Sequence, residues 1–340
     1  MSARPAHLGL AGAVGLAVAL LATACSSGTG GGRMTVYSGR RKELVQPVLE
    51  RFAEETGLVV DVRYGDSAEL AARLEREGAA SPADVLLTET PAPIVQLAAQ
   101  GRLAALPSGV VELVDPRWRD PGGTWVGVSG QARRVVFNAH LIAPPDLPTT
   151  VASLVDARYR GQVGLAPEDD SFRDFVGAMR QQAGDPATTA WLEGLHDNRA
   201  RAYRDDQAVV AAVERGEVAM GLVDHDDYER ARAGHPEAAG DEHGFAPGDL
   251  GNLVLVSAAA ALADAPHPDD ALDLLEYLLS PDAQTFLVQE GFDYALAEDV
   301  AVPADRAPLE ELGAPRAVLS ALPDPATTAR MIDASGLDSG

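Results

Sequence analysis

The chain has few residues of the types that build disulfides, cysteine metal sites and basic binding faces. Cys25 is the only cysteine among 340 residues, which excludes an internal disulfide and any metal site made of several cysteines. Lys42 is the only lysine, and arginine supplies every other basic charge. The 27 basic residues face 51 acidic ones, for a formal net charge of −24. This balance argues against nucleic acid or anionic lipid as a partner of the folded part.

The amino-terminal segment resembles a bacterial lipoprotein leader. Residues 1–24 contain one charged side chain, Arg4, followed by an uncharged run, which predicts a secretory signal. That run is shorter than the roughly 20 residues of a membrane span. The small residues before Cys25 resemble a lipobox, which implies cleavage there, a lipid on the cysteine sulfur and an extracytoplasmic, membrane-attached protein. An uncleaved anchor, or cleavage without lipidation, is the alternative. Residues 25–33 are rich in glycine and serine and predict a flexible tether.

The segment after the tether predicts alternating strands and helices. Residues 34–38 form a short β-branched run typical of a buried strand, and residues 58–64 form a second one. Between them, apolar side chains recur at helical spacing over residues 42–56, and Gly57 supplies a helix stop. This order indicates an α/β fold with a parallel sheet.

Ligands of parallel α/β sheets bind beyond the carboxyl ends of the strands. The loop of residues 38–41 follows the first predicted strand, and residues 64–67 follow the second. Asp66 and Glu69 match the capping pattern that opens the next helix. Glu89 directly follows a third predicted strand. We therefore expect these loops and Glu89 to line a cleft.

The length after the leader indicates two domains. Roughly 310 residues are too many for one compact core. Two apolar extended segments, residues 125–138 and 251–261, interrupt the α/β pattern and predict crossings between two lobes joined by a hinge. The predicted lobes comprise residues 34–132 with 257–305, and residues 133–256 with 306–340.

Several segments, taken in order, resemble the periplasmic ferric-ion-binding family of bacterial ABC importers. They include VYSGR (36–40), SPADVLLTE (81–89), WVGVSG (125–130), VVFN (135–138) and GLVDHDDY (221–228). The resemblance extends from about Met34 to Leu337. It implies an α/β, two-lobe class II periplasmic-binding-protein clamp with two hinge crossovers that is not an enzyme. It also implies ferric iron as the transported ligand, an ABC permease as partner and a monomer.

The ligand positions depart from the family pattern. Family members hold ferric iron with two adjacent tyrosines, a glutamate and often a histidine. The glutamate corresponds to Glu89, but Arg41 stands at the histidine position, and Asp226 and Asp227 stand at the tyrosine pair. Tyr228 lies one place later. We therefore predict a metal site formed by Glu89, Asp226, Asp227 and Tyr228.

Other positions of the family's binding loops are also acidic here, which disfavours a bound anion. The additional predicted ligand-binding residues are Ser38, Gly39, Arg41, Ser171, Asp206, Asp224 and His225. An acidic cluster needs counter-charge, either a bound cation or Arg40 and Arg41 from the opposite lobe.

Three hypotheses remain open. The carboxylates bind a hard cation such as Fe³⁺, Mn²⁺, Ca²⁺ or Mg²⁺, the cleft takes another solute such as an organic cation, or the metal site is lost.

Two further patterns involve histidines and paired aspartates. His225, His235 and His243 have no zinc spacing, and glycine and proline between them predict a loop. Asp226 and Asp227 would suit acid–base chemistry in a carboxylate-dependent hydrolase, which is the enzymatic alternative.

Overall fold

The computed structural model describes residues 32–237, 240–297, 300–304 and 306–337. The predicted signal segment and Cys25 lie outside the described residues. No helix in the described ranges is both long enough and apolar enough to cross a membrane.

Strands and helices alternate along most of the described chain, as expected for an α/β fold. The strands are β1 (Arg33–Ser38), β2 (Val59–Tyr64), β3 (Val85–Thr88), β4 (Val126–Asn138), β5 (Val163–Leu165), β6 (Arg201–Ala202), β7 (Met220–Asp224), β8 (Gly240–His243), β9 (Val254–Ala261) and β10 (Tyr294–Ala295). The helices are α1 (Lys42–Thr56), α2 (Ser67–Glu77), α3 (Pro91–Ala99), α4 (Ser108–Val111), α5 (Asp170–Ala183), α6 (Asp185–Asp197), α7 (Asp206–Glu214), α8 (His225–Gly234), α9 (Pro268–Leu278), α10 (Pro281–Glu290) and α11 (Pro325–Ala334).

Local sequence signals set the first two helices. The buried residues of α1 lie on one stripe, and Gly57 ends the helix in the left-handed region with φ of 72°. Asp66 caps α2 by accepting a hydrogen bond from the backbone nitrogen of Glu69. Strands β1, β2 and β3 are parallel, so their carboxyl ends meet at one edge of the sheet.

Strand β4 joins two groups of strands. Its first part, residues 126–132, pairs with β9, and its second part, residues 133–138, pairs with β7 and β8. The strand order is β2-β1-β3-β9-β4-β7-β5-β6, with β8 and β10 also paired to β4. The first strand group therefore contains β1, β2, β3, β9 and β10, and the second contains β5, β6, β7 and β8. The predicted lobe boundary at residue 133 falls at this change of partner, although the full boundaries stay a prediction.

The loop predicted around His225, His235 and His243 is wrong. Residues 225–234 form α8, and residues 240–243 form β8 on the edge of β4. Asp226 and Asp227 occupy the first turn of α8, where negative charge stabilises the helix dipole. Of the residues that indicated a loop, Gly234 is the last residue of α8 and Gly240 is the first residue of β8.

Candidate ligand-binding cleft

A cleft of about 400 Å³ lies at the strand ends of both groups. Its lining is mainly acidic: nine carboxylates, two arginines, one glutamine, one serine and one glycine. The lining residues are Gly39, Arg41, Asp66, Glu89, Glu168, Asp169, Asp170, Ser171, Arg204, Asp205, Gln207, Asp224, Asp226 and Asp227. The cleft position agrees with the rule for parallel sheets.

The loop after β1 is fixed against the start of α2. Ser38 Oγ accepts a hydrogen bond from the backbone nitrogen of Arg40 at 3.2 Å. A Cβ atom on Gly39 would lie 2.1 Å from Ser67 Oγ and 3.0 Å from Ser67 Cα. Only glycine fits this approach without a shift, and the close contact holds Arg40 and Arg41 at the edge of the cleft.

Arg41 reaches across the cleft to the aspartate pair on α8. Arg41 Nη1 lies 2.6 Å from Asp227 Oδ1, and Arg41 Nη2 lies 3.1 Å from Asp226 Oδ2. Arg230, on the same helix, lies 3.1 Å from Asp227 Oδ1 and 3.4 Å from Asp226 Oδ2. The two arginines and two aspartates form a closed set of ion pairs, which we call the Arg41 ring. Arginine side chains thus supply the counter-charge that this acidic cluster requires.

Glu89 directly follows β3, and its carboxylate lies close to a different arginine, Arg40. Arg40 Nε lies 3.2 Å from Glu89 Oε2, without the alignment of a hydrogen bond. Arg40 is buried and also binds Asp293 at 2.8 Å. Burial raises the pKa of Glu89 to about 7, against the opposing charges of Arg40 and Arg41. The Glu89 carboxylate is therefore poorly compensated and would gain from a further cation.

A buried arginine organises three more of the predicted ligand residues. Arg133 Nη1 lies 2.9 Å from Ser171 Oγ, 2.9 Å from Asp206 Oδ2 and 3.0 Å from Asp224 Oδ1. Sequence reasoning missed Arg133, because an extended apolar segment conceals which of its residues face inward. An arginine inside such a segment was the available signal, since buried arginine requires carboxylate partners.

His225 and Tyr228 are buried and do not belong to the described lining of the cleft. His225 Nδ1 accepts a hydrogen bond from the backbone nitrogen of Ala132 at 3.1 Å, and its ring stacks on Tyr294. Burial lowers the pKa of His225 to about 3, so the ring is neutral.

The hydroxyl of Tyr228 donates to the carbonyl oxygen of Gly240. Ser38 and Asp206 are likewise buried behind the lining. The ligand roles of these four residues stay predictions.

Several cleft carboxylates hold protons unusually strongly. Burial raises the pKa of Asp224 to about 6, of Asp227 to about 7 and of Asp170 to about 8, with neighbouring carboxylates adding to the effect. These carboxyl groups are therefore partly protonated near neutral pH, and a cationic ligand would favour their ionised form. The lining contains nine carboxyl groups and two arginines, so its composition favours a cation over an anion.

No group of three or more histidine, aspartate or glutamate side chains among the described residues is arranged to hold a metal ion. In the Arg41 ring, Asp226 and Asp227 form ion pairs with the guanidinium groups of Arg41 and Arg230. In this conformation Glu89, Asp226 and Asp227 line one cleft without a shared centre, and Tyr228 does not belong to its described lining.

Comparisons with known proteins agree with the fold. Residues 34–293 match the family of bacterial extracellular solute-binding proteins. The Fe(3+)-binding periplasmic protein of Serratia marcescens is 28% identical, over 83% of this chain and 84% of its own length. Iron uptake protein A1 of Synechocystis is 30% identical, over 78% of this chain and 76% of its own length. The crystal structure of iron-bound HitA from Pseudomonas aeruginosa superposes with a TM-score of 0.86 at 29% identity, over 90% of this chain and all of that one.

These similarities confirm the expected two-lobe α/β clamp. They cover nearly all of the described chain in a single alignment, and members of this family are solute-binding proteins. The chain therefore belongs to the bacterial extracellular solute-binding proteins and, among them, to the periplasmic ferric-ion-binding family.

Proposed function

We propose that this protein is the extracytoplasmic solute-binding component of an ABC importer and that its cargo is ferric iron or a ferric chelate. The observation that carries the proposal is the cleft with nine carboxylates at the strand ends of the family's fold. The similarity to an Fe(3+)-binding periplasmic protein and to an iron-bound crystal structure supports iron as the cargo.

The chemistry of the lining suits a hard cation. Hard, highly charged cations select oxygen ligands, and carboxylates provide them. Asp226 Oδ1 is buried and has no hydrogen-bond partner within the described structure, although its second oxygen is paired. A buried carboxylate oxygen without a partner is costly, and a bound cation would remove that cost. We assign the metal-binding role to Glu89, Asp226 and Asp227.

The shell differs from that of the family, because no tyrosine belongs to the described lining of the cleft. Carboxylates replace the phenolates as anionic ligands. The excess of negative charge also disfavours a synergistic anion beside the iron. The two predicted lobes would close over the cation by bending at β4 and β9, and the closed monomer would deliver it to a permease. Lipidation of Cys25 would hold the protein at the outer face of the cell membrane.

Thermal melting of the chain without its leader, with and without excess ferric citrate, tests the proposal. A ligand present at one hundred times its dissociation constant adds about 2.7 kcal/mol to the stability of the folded state. A clear rise in melting temperature is expected. An unchanged melting temperature would count against iron as cargo.

An organic cation is the second candidate. The specific observation in its favour is that Asp226 and Asp227 already hold a planar guanidinium group, that of Arg41. The same melting assay with polyamines, Mn²⁺, Ca²⁺ and Mg²⁺ separates the candidates, because stabilisation by polyamines alone would point to an organic cargo.

A further inference from the structure

We propose that Arg41 is a tethered counter-ion: its guanidinium occupies the position of the cationic cargo and sets which cations displace it. This inference rests on the proposed function, since it concerns the same cleft and the same carboxylates. It assigns a specificity-determining role to a residue that directly contacts the predicted cation ligands.

The Arg41 ring spans the cleft. Arg41 belongs to the loop between β1 and α1, in the first strand group, whereas Asp226 and Asp227 open α8 beside the second group. The shortest contact, 2.6 Å from Arg41 Nη1 to Asp227 Oδ1, therefore ties the two sides together. A cation bound by Glu89 from one side and by Asp226 and Asp227 from the other would make the same connection.

The two arginines of the ring differ in how firmly they are held. Arg230 lies on α8 with the aspartates, donates to the carbonyl oxygen of Gly291 at 2.9 Å and stacks on Phe292. Arg41 and Arg230 are similarly exposed, with 31% and 26% of the side chain accessible, but the described side-chain hydrogen bonds of Arg41 go to Asp226 and Asp227 alone. Arg41 is thus the partner that an incoming cation displaces, while Arg230 stays in place.

Charge explains the consequence for selectivity. With both aspartates ionised, two guanidinium groups and two carboxylates leave the Arg41 ring neutral, and departure of Arg41 leaves one uncompensated negative charge in the cleft that Glu89 also lines. Coulomb attraction grows with the charge of the ion. The attraction of a trivalent cation to the carboxylates therefore offsets the lost Arg41 ion pairs more fully than that of a divalent cation. Arg41 therefore raises the ionic charge that a cation needs in order to displace it, and so it discriminates against divalent cations.

Titration calorimetry with Mn²⁺, and competition binding with ferric citrate, test this role in the wild type, R41Q and R204Q. Arg204 is the matched control: it lines the same cleft, but its side chain is 81% exposed and it pairs with Asp205 instead of the aspartates of α8. We expect R41Q to bind Mn²⁺ at least tenfold more tightly than the wild type, with a smaller gain for ferric citrate. R204Q measures the general effect of removing one positive charge, and its gain should be under threefold.

The outcomes separate this inference from the proposed function. Equal or weaker Mn²⁺ binding by R41Q, with ferric citrate still bound by the wild type, overturns the counter-ion role and leaves the cargo assignment standing. Equal gains in R41Q and R204Q also overturn it, because they show a general charge effect. Binding of neither ion by any variant contradicts the proposed function itself.

Small-angle X-ray scattering without added cation supplies a readout independent of cargo. If the Arg41 ring ties the two sides together, R41Q should have a larger radius of gyration than the wild type, and R204Q should match the wild type. A radius of gyration unchanged in R41Q would overturn the proposed bridge.

Discussion

Asp174 accepts a hydrogen bond from the backbone nitrogen of Ala92, with 2.8 Å between Asp174 Oδ2 and Ala92 N. Ala92 lies in the first turn of α3, beside the first strand group. Asp174 lies on α5, beside the second strand group. The contact places a carboxylate at the positive end of a helix dipole, and it is buried on both sides. It is therefore a second polar connection between the two strand groups, separate from the ligand-binding cleft.

The Asp174 contact predicts a pH dependence of stability. Burial raises the pKa of Asp174 to about 7, and the Ala92 hydrogen bond and Arg173 oppose this only in part. The folded state holds this proton more strongly than the unfolded state, so the resulting stabilisation is complete below the unfolded pKa and is lost as the pH rises toward 7. Replacing Asp174 by asparagine keeps an acceptor for the Ala92 backbone nitrogen. It also removes the loss of stability at rising pH, because asparagine does not titrate.

Urea unfolding at several pH values from 4 to 8 measures the effect. We expect the D174N variant to gain stability relative to the wild type as pH rises, by up to about 4 kcal/mol. Comparison with the wild type cancels the other titrating carboxylates. Parallel stability curves for the two proteins would show that Asp174 does not titrate in this range.

The iron-loaded protein should lack the intense visible absorption that phenolate-to-iron charge transfer produces. The structure directs the Tyr228 hydroxyl to the Gly240 carbonyl, and burial raises the pKa of Tyr228 to about 12. Both features oppose formation of a phenolate ligand. Visible spectra recorded during titration with ferric citrate test this prediction, and a strongly coloured complex would show that a tyrosine does bind the iron.

Simultaneous replacement of Glu89, Asp226 and Asp227 by alanine should abolish cation binding, because it removes all the assigned carboxylate ligands. Competition binding with ferric citrate measures the loss, expected to exceed a hundredfold. The E168Q variant is the control, since Glu168 lines the cleft at an exposed position and is not among the assigned ligands. Unchanged affinity in the triple variant would eliminate the assigned site.

Arg133 should be more important for stability than any exposed arginine. It is fully buried between Asp206 and Asp224, so the R133M variant would leave two buried carboxylates without their partner. Breaking a buried ion pair in this way costs about 3–5 kcal/mol. Urea unfolding of R133M and of R215M tests this expectation, because Arg215 forms an exposed pair with Glu217. Similar stability losses in both variants would contradict it.

Sequence patterns predicted most of the α/β framework. Residues 42–56 form the expected helix with the expected glycine stop, and Asp66 caps the next helix. These features depend on side chains within a few positions of each other, which is the range that periodicity and capping rules describe. The same rules failed near His225, because glycine and proline mark the ends of short elements as well as loops.

The sequence by itself determined the acidic composition of the chain, its alternating strands and helices, and the position of Glu89 at a strand end. It also predicted a secretory leader. Only the tertiary structure decided how the carboxylates are compensated. Arg41 and Asp226 are 185 positions apart, and Arg133 and Asp224 are 91 apart. Ion pairs over such separations follow from how strands and helices assemble in space. The sequence shows that counter-charge is required, but the folded chain selects the arginine that provides it.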